Sequence, residues 1–496
     1  MEYLVSSAVM KRCDRETIET YGMSSLVLME RAALAVAEEL CDGSFDLSKV
    51  LVVCGAGNNG GDGYAIARLL EQRNVEIAVL FAGKEEMLTE ETRIQQKICE
   101  NYGIKKSSNS EISEYTCIVD ALFGIGVSRE ITGSDAELID RINASGAAVL
   151  AVDMPSGILA DTGKVSGRAV KAVKTVTFGF RKIGQVLYPG ANYCGETIVR
   201  DIGITAAGFL GDAPAVYSLT GDACKMLPRR HAYSNKGSYG KVLLIAGQYG
   251  MSGAAYLAGS AAYRSGTGLV RIFTEACNRV ILQSQLPEAV LTTYEADTCL
   301  QTLETVMNWG TAVGIGPGLG ISPMKATMLA ILLEKAHGPL VLDADALNLL
   351  AAQKERLKKC KQEIIITPHI GEMMRLTGMT KIEITENLLE VCKNFAKEYG
   401  VICVLKDART IISDGHEICI NQTGNDGMAK GGSGDVLLGL LTGLLAQGMT
   451  AFEAAKLAVY LHGKAGDEAR KQHGSYGMLA GDIVNAIPAL LNQTTR

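Results

Sequence analysis

Short runs of β-branched and aliphatic residues alternate with longer stretches whose apolar positions recur every three or four residues. In the first part of the chain the short runs are Val50 to Cys54, Val75 to Phe81, Cys117 to Leu122, Ala148 to Val152, Val173 to Phe178 and Thr197 to Val199. Each predicts a strand, and strands that alternate with helical patterns predict a parallel, doubly wound sheet. Ahead of them, Ser24 to Leu40 has helical spacing and predicts a helix beside the first strand. A second series predicts strands at Lys241 to Ala246, Leu269 to Phe273, Ala312 to Ile315, Leu340 to Leu342, Glu363 to Thr367 and Val401 to Leu405, with a hairpin over Thr410 to Ile420. The chain therefore reads as α/β throughout, in two domains. Gly211-Asp212-Ala213-Pro214 and Leu227-Pro228-Arg229-Arg230 carry turn residues without periodicity, which predicts domains 1–214 and 215–496.

Composition narrows the class. A chain of 496 residues exceeds what one hydrophobic core organises, and 47% apolar with 21% charged residues excludes wholesale disorder. A net charge of −6 offers no basic surface for sequence-independent nucleic-acid binding, so any nucleotide must be held locally. The 13 cysteines form no Cys-x-x-Cys pair and are scattered through apolar stretches, as expected of reduced thiols in a cytoplasm. Met1-Glu2-Tyr3-Leu4 does not open a signal sequence, and Val436 to Leu445 is too short to span a bilayer. The expectation is a cytoplasmic protein without a membrane or nucleic-acid partner, assembled as a homo-oligomer.

The densest chemistry lies at Ala429-Lys430-Gly431-Gly432-Ser433-Gly434-Asp435, followed at once by the apolar Val436 to Leu441. Glycines allow close backbone approach to an anion, and the first amides of a helix have no internal acceptor. A carboxylate beside such a nest suits a base that deprotonates a hydroxyl while the amides hold a phosphoryl group. The same half carries Gly314 to Gly320, Asp343-Ala344-Asp345, Thr367-Pro368-His369-Ile370-Gly371-Glu372 and Lys406 to Thr410, each at a predicted strand end. Taken singly, Lys406 or Arg409 is more often a solvated charge, and His369 more often a satisfied polar residue than a ligand.

In the first half, Gly55-Ala56-Gly57-Asn58-Asn59-Gly60-Gly61-Asp62-Gly63 follows the first strand and departs from the dinucleotide fingerprint. Asp120 with Phe123 to Gly126, and Asp153-Met154-Pro155-Ser156-Gly157, end other strands at the same edge. Asn59, Asp120 and Ser156 together offer oxygen ligands for a hard cation, although each acid alone could cap a helix or a turn.

The segments Gly57 to Gly63, Asp120 to Gly124 and Asp153 to Gly157 resemble the epimerase domain of the bifunctional NAD(P)H-hydrate repair enzymes, over about residues 1 to 210. The segments Gly316-Pro317-Gly318, Thr367 to Glu372 and Asn425 to Asp435 resemble the ADP-dependent dehydratase of the same family, over about 220 to 496. The resemblance implies a Rossmann-like first domain and a ribokinase-like second one. It implies K+ on Asn59, Asp120 and Ser156, with the hydrated nicotinamide contacted by Asn58, Asn59, Gly60, Gly61, Asp62, Gly124, Ile125, Gly126, Val127, Ser128, Arg129, Glu130 and Asp153. Asp153 would be the acid/base of epimerisation.

In the second domain the resemblance implies Asp435 as the catalytic base, with Ala254, Gly318, His369, Gly371 and Glu372 facing the hydrated dinucleotide. Lys406, Asp407, Ala408, Arg409, Thr410, Asn425, Gly431, Gly432, Ser433 and Gly434 would face ADP, which acts with Mg2+. The expected substrates are NADH hydrate, NADPH hydrate and ADP, the last converted to AMP and phosphate. The residues also fit a ribokinase-type small-molecule kinase joined to a ligand-binding module, against which the Thr-Pro-His-x-Gly-Glu segment and the Asn-Asn-Gly-Gly-Asp loop argue.

Overall fold

The computed structural model describes residues 1–127 and 129–492, and Ser128, one of the expected substrate contacts, lies outside the described residues. The chain divides between Val216 and Tyr217 into two compact units.

The first unit is built on seven strands in the order Lys105–Lys106, Ile77–Phe81, Val50–Cys54, Cys117–Ala121, Ala148–Val152, Lys174–Phe178 and Glu196–Arg200. All its pairings are parallel. Every residue of Val50–Cys54 is buried because helices cover both faces. Val50, Val52 and Cys54 pack with Ala33, Val36 and Leu40 of the helix Ser25–Leu40, whereas Leu51 and Val53 pack with Leu138, Ile139 and Ile142 of the helix Gly133–Ala144. The period-2 alternation thus feeds two cores.

The sequence does not announce every element of this unit. The edge strand Lys105–Lys106 is two exposed lysines without an apolar signal. The helix Ser7–Glu19, capped by the Ser6 hydroxyl, buries only Met10, Cys13 and Thr17, so its apolar stripe is thin. Asn58 to Asp62 also differ from the loop expected of them. They already belong to the helix Asn58–Glu71, which starts directly off the strand because a side chain at Gly60 would come within 1.9 Å of the Gly55 carbonyl oxygen.

In the second unit the strands Val290–Tyr294, Leu269–Glu275, Lys241–Ile245, Ala312–Ile315, Leu340–Leu342, Ile364–Ile366 and Ile402–Leu405 pair in parallel in that order. Ile411–Ser413 and Ile418–Ile420 then add as an antiparallel hairpin. Val290–Tyr294, absent from the sequence reading, is a half-exposed edge strand with weak alternation. The helix Ser433–Ala446 is buried from Val436 to Ala446 and packs on the helix Ser252–Arg264. Their backbones nearly touch, since a side chain at Gly439 would lie 2.1 Å from the Ala258 carbonyl oxygen. No described helix is long and apolar enough to cross a membrane.

Both sheets place a reversal of strand order where a ligand crevice is expected. In the first unit it falls between Val50–Cys54 and Cys117–Ala121, and in the second between Lys241–Ile245 and Ala312–Ile315.

Candidate functional site

The first crevice opens into a cavity of about 1400 Å3. Its wall includes Asn58, Asn59 and Asp62 from the start of one helix, Gly124, Ile125, Gly126, Val127 and Arg129 from the neighbouring strand end, and Asp153 from the next. Gly60 and Gly61 are buried under this wall, and Glu130 lies outside it.

Asp153 has a φ of 65°, an uncommon value for a non-glycine residue and one that marks a constrained backbone. Its position is fixed on several sides. The Asp153 carbonyl accepts from Gln185 Nε2 at 2.7 Å, and its Oδ1 accepts from Thr177 Oγ1 at 2.9 Å and Lys182 Nζ at 2.5 Å. Lys182 is itself buried and lines the cavity. It follows the strand Lys174–Phe178 and pairs in register with Val5. Lys182 escaped the sequence reading because Arg181-Lys182 looks like a solvated basic turn; burial next to Asp153 is a tertiary fact.

Behind the cavity wall, Asp120 and Ser156 are fully buried. Asp120 Oδ1 accepts from Ser156 Oγ at 2.6 Å and Oδ2 from the Ser156 amide at 2.8 Å, while Ser156 Oγ accepts from the Phe123 amide at 2.8 Å. Burial raises the Asp120 carboxyl to about 6 despite these hydrogen bonds. Asn59 Nδ2 is buried without a partner. Exchange of the two amide atoms would leave an unpartnered oxygen at that place instead, which a cation could satisfy. One carboxylate with neutral amide and hydroxyl oxygens fits a monovalent hard cation. No cluster of three or more His, Cys, Asp or Glu side chains suited to a metal occurs among the described residues.

The second crevice gathers its residues from five strand ends. The loop after Ala312–Ile315 turns on Gly318 at φ 55°, where a side chain would strike Met251 Cβ at 2.8 Å and Ala254 Cβ at 3.2 Å. The amides of Gly247 and Gln248 bind the carbonyls of Pro317 and Gly318, which brings Ala254 and Gly318 to one wall. Ala344 follows the next strand at φ 49°, a second strained position at a strand end.

Asp343 is buried and accepts from Lys406 Nζ at 2.6 Å. Lys406 is also tied to the Thr-Pro-His segment through its amide, which donates to the Pro368 carbonyl at 2.8 Å. His369 caps the helix Ile370–Thr377: its Nδ1 accepts from the Gly371 amide at 2.9 Å, and its own amide donates to Glu372 Oε2 at 2.8 Å. With Nδ1 committed as acceptor, the neutral ring carries its proton on Nε2, and burial and the Lys406 charge hold its pKa down. Burial chiefly raises Glu372, to about 7.

Asp435 lies in the first turn of the buried helix Ser433–Ala446, after Gly432 at φ 91°. No hydrogen bond or ion pair engages its carboxyl among the described residues. Burial lifts it to about 6, with the Asp343 and Asp345 charges adding and Lys406 opposing. A side chain at Gly434 would come within 3.5 Å of Asp343 Oδ2 and 3.6 Å of Lys406 Nζ, so the glycine loop faces that ion pair directly.

Ser433 Oγ lies 3.3 Å from Nε2 of the buried His462. Burial depresses His462 to about 4, leaving the ring neutral. Asn425 donates to Asp467 Oδ1 at 3.1 Å and accepts from the Gly427 amide at 3.0 Å. Arg409 donates to the Gln422 carbonyl, Asp407 and Ala408 are exposed, and Thr410 and Gly431 border the same loops. Asp343, His462 and Asp467 stand beside the site residues expected from the sequence. Asp343 was visible as part of a strand-end motif, but His462 and Asp467 stand inside a long helical pattern, where contact with the glycine loop leaves no local signal.

The chain matches the family described as NAD(P)H-hydrate dehydratase over residues 242–489 and the one described as YjeF-related protein N-terminus over residues 25–184. It is 38% identical to the bifunctional NAD(P)H-hydrate repair enzyme Nnr of Moorella thermoacetica, over 99% of this chain and 96% of the relative. The Escherichia coli enzyme of the same description is 34% identical over 97% of this chain and 92% of its own. Among solved structures, the ADP/ATP-dependent NAD(P)H-hydrate dehydratase of Bacillus subtilis, co-crystallised with ATP and Mg2+, superposes with a TM-score of 0.50 and 32% identity, over 56% of this chain and 98% of that one. The chain therefore belongs to the bifunctional NAD(P)H-hydrate repair enzymes, and joins an NAD(P)H-hydrate epimerase domain to an NAD(P)H-hydrate dehydratase domain.

Proposed function

We propose that Asp435 is the base of the dehydratase and that ADP is its phosphoryl donor. The observation that carries this reading is the unpaired, half-buried Asp435 carboxyl at the N-terminus of a core helix, beside the Asp343–Lys406 pair. Water leaves poorly from C6 of a hydrated dihydronicotinamide, so the hydroxyl must first be converted to a better leaving group. Asp435 takes the proton of the C6 hydroxyl as that oxygen attacks the β-phosphorus of ADP. The first-turn amides around Gly432 to Gly434 and Lys406 stabilise charge on the transferred group. Phosphate then departs as the ring nitrogen supplies its lone pair, and the resulting iminium loses a proton from C5 to water, which yields NAD(P)H, AMP and phosphate.

Asp343 and Asp345 leave this site with more carboxylates than Lys406 neutralises, which suits a nucleotide delivered with Mg2+; the metal supplies charge neutralisation on the phosphates. Ala254, Gly318, His369, Gly371 and Glu372 border the hydrated dinucleotide, and Lys406 to Thr410, Asn425 and Gly431 to Gly434 border ADP. The test is stoichiometry. NADH hydrate incubated with ADP should gain dihydronicotinamide absorbance with one AMP and one phosphate per NADH formed; a stable phosphorylated dinucleotide would instead indicate a kinase.

In the first domain we assign Asp153 as an acid/base for inversion at C6, held by Lys182, Thr177 and Gln185. Asn59, Asp120 and Ser156 would hold K+, which supplies a fixed positive charge next to the substrate-binding helix start. The 13 cysteines are free thiols, which suits the cytoplasm. Exposed Val280, Ile281 and Val290, near the edge strand Val290–Tyr294, suit a homo-oligomer.

A further inference from the structure

The helix Ser7–Glu19 lies against the epimerase cavity with Met10, Asp14 and Ile18, one face at i, i+4 spacing. An acid in the middle of an otherwise apolar stripe is costly unless something uses it. Asp153, on the same wall, is engaged by Lys182 and Thr177. Asp14 is not: no hydrogen bond or ion pair to its carboxyl occurs among the described residues. Its oxygens are open to a ligand in the cavity. Inversion at C6 by loss and return of the hydroxyl needs two proton-transferring groups, one for each face of the ring.

We propose that Asp14 is the second catalytic acid/base of the epimerase and works with Asp153, an assignment that rests on the reading of Asp153 given above. Asp14 gives its proton to the C6 hydroxyl. The C6–O bond breaks with its electron pair leaving on water, and the ring nitrogen lone pair forms the iminium. A second water adds to C6 from the other face while the Asp153 carboxylate takes its proton. One water is released, one is consumed, and one proton passes from Asp14 to Asp153. Reaction of the opposite epimer returns it, or exchange with solvent does.

The charges about Asp14 support this division. Burial raises its carboxyl to about 6, with Asp153 adding and Lys182 opposing, so that it both donates and accepts near neutrality. Asp62, on the same wall, is raised well above the ordinary carboxyl range, by burial first and then by the Asp153 and Asp14 charges. Lys11 and Lys84, the remaining lysines on the wall, reach the cavity from the rim. Lys182 pairs with Asp153 and not with Asp14.

The test uses the full chain with an epimer mixture of NADH hydrate, ADP and Mg2+, and resolves the two epimers by chromatography over time. In Asp14→Asn the epimer taken by the dehydratase should vanish at the wild-type rate. Its partner should be converted about 10²- to 10⁴-fold more slowly than in the wild type, and Asp14→Glu should recover part of that loss. Wild-type epimerisation should fall as pH rises through about 6, and the residual rate of Asp14→Asn should lack this limb. Wild-type epimerisation by Asp14→Asn overturns the assignment, as does an equal loss in Asn and Glu variants with the limb retained. Asp153→Asn separates the two readings. If that variant still epimerises, the site reading itself fails; if it is dead while Asp14→Asn is active, only the role of Asp14 fails.

Discussion

Asp435→Asn should abolish dehydration while epimerisation continues, with the loss at least as large as the roughly 10²- to 10⁴-fold that a general base contributes. The substitution keeps shape and removes only the proton acceptor. In the wild type, kcat/KM for dehydration should climb with pH through about 6 as the carboxyl ionises, then level off. That limb should be absent from any residual rate of the variant.

The same change should stabilise the second domain. The Asp435 pKa in the folded state, about 6, lies above its unfolded value. Its contribution to stability is therefore complete below the unfolded pKa and is lost as pH rises through about 6. At pH 7 the native carboxylate is a cost on the order of 1–3 kcal/mol, which the neutral amide removes. A variant that is inactive and melts higher would show a site where function is held against stability. An inactive variant that melts lower would mean that Asp435 is structural.

Asp153→Asn should stop epimerisation and leave dehydration intact. Here the stability change has the opposite sign, because removal of one member of a buried pair leaves the Lys182 ammonium uncompensated. Such changes cost on the order of 3–5 kcal/mol, so the melting of the first domain has to be measured together with the rate. Restored packing in an Asp153→Asn, Lys182→Met double variant without restored epimerisation would separate the chemical role from the structural one. Recovery of epimerisation in that double variant would refute Asp153 as an acid/base.

Much of this architecture was legible because it rests on local signals. The runs Val50 to Cys54 and Ala148 to Val152 are strands of those limits, and the glycine loop before Val436 opens a buried helix as its composition predicts. What escaped the sequence was set by tertiary context. Lys182 reads as a surface charge, yet folding buries its ammonium against Asp153, Thr177 and the Phe178 carbonyl. His462 lies within a long helix, and only packing brings it to Ser433. Asp14 belongs to a helix with too few apolar positions to announce itself, and its value depends on a cavity that no sequence window contains. The start of the helix Asn58–Glu71 was misplaced for a related reason: glycines that look like a loop are there so that helix and strand end can touch.

The most direct test of two activities in one chain is the fate of an equal mixture of the two NADH hydrate epimers incubated with the full-length protein, ADP and Mg2+. Both epimers should be consumed to completion, the second faster than it epimerises unaided, with NADH recovered in full. Consumption that halts with one epimer left, apart from its uncatalysed decay, would contradict the account.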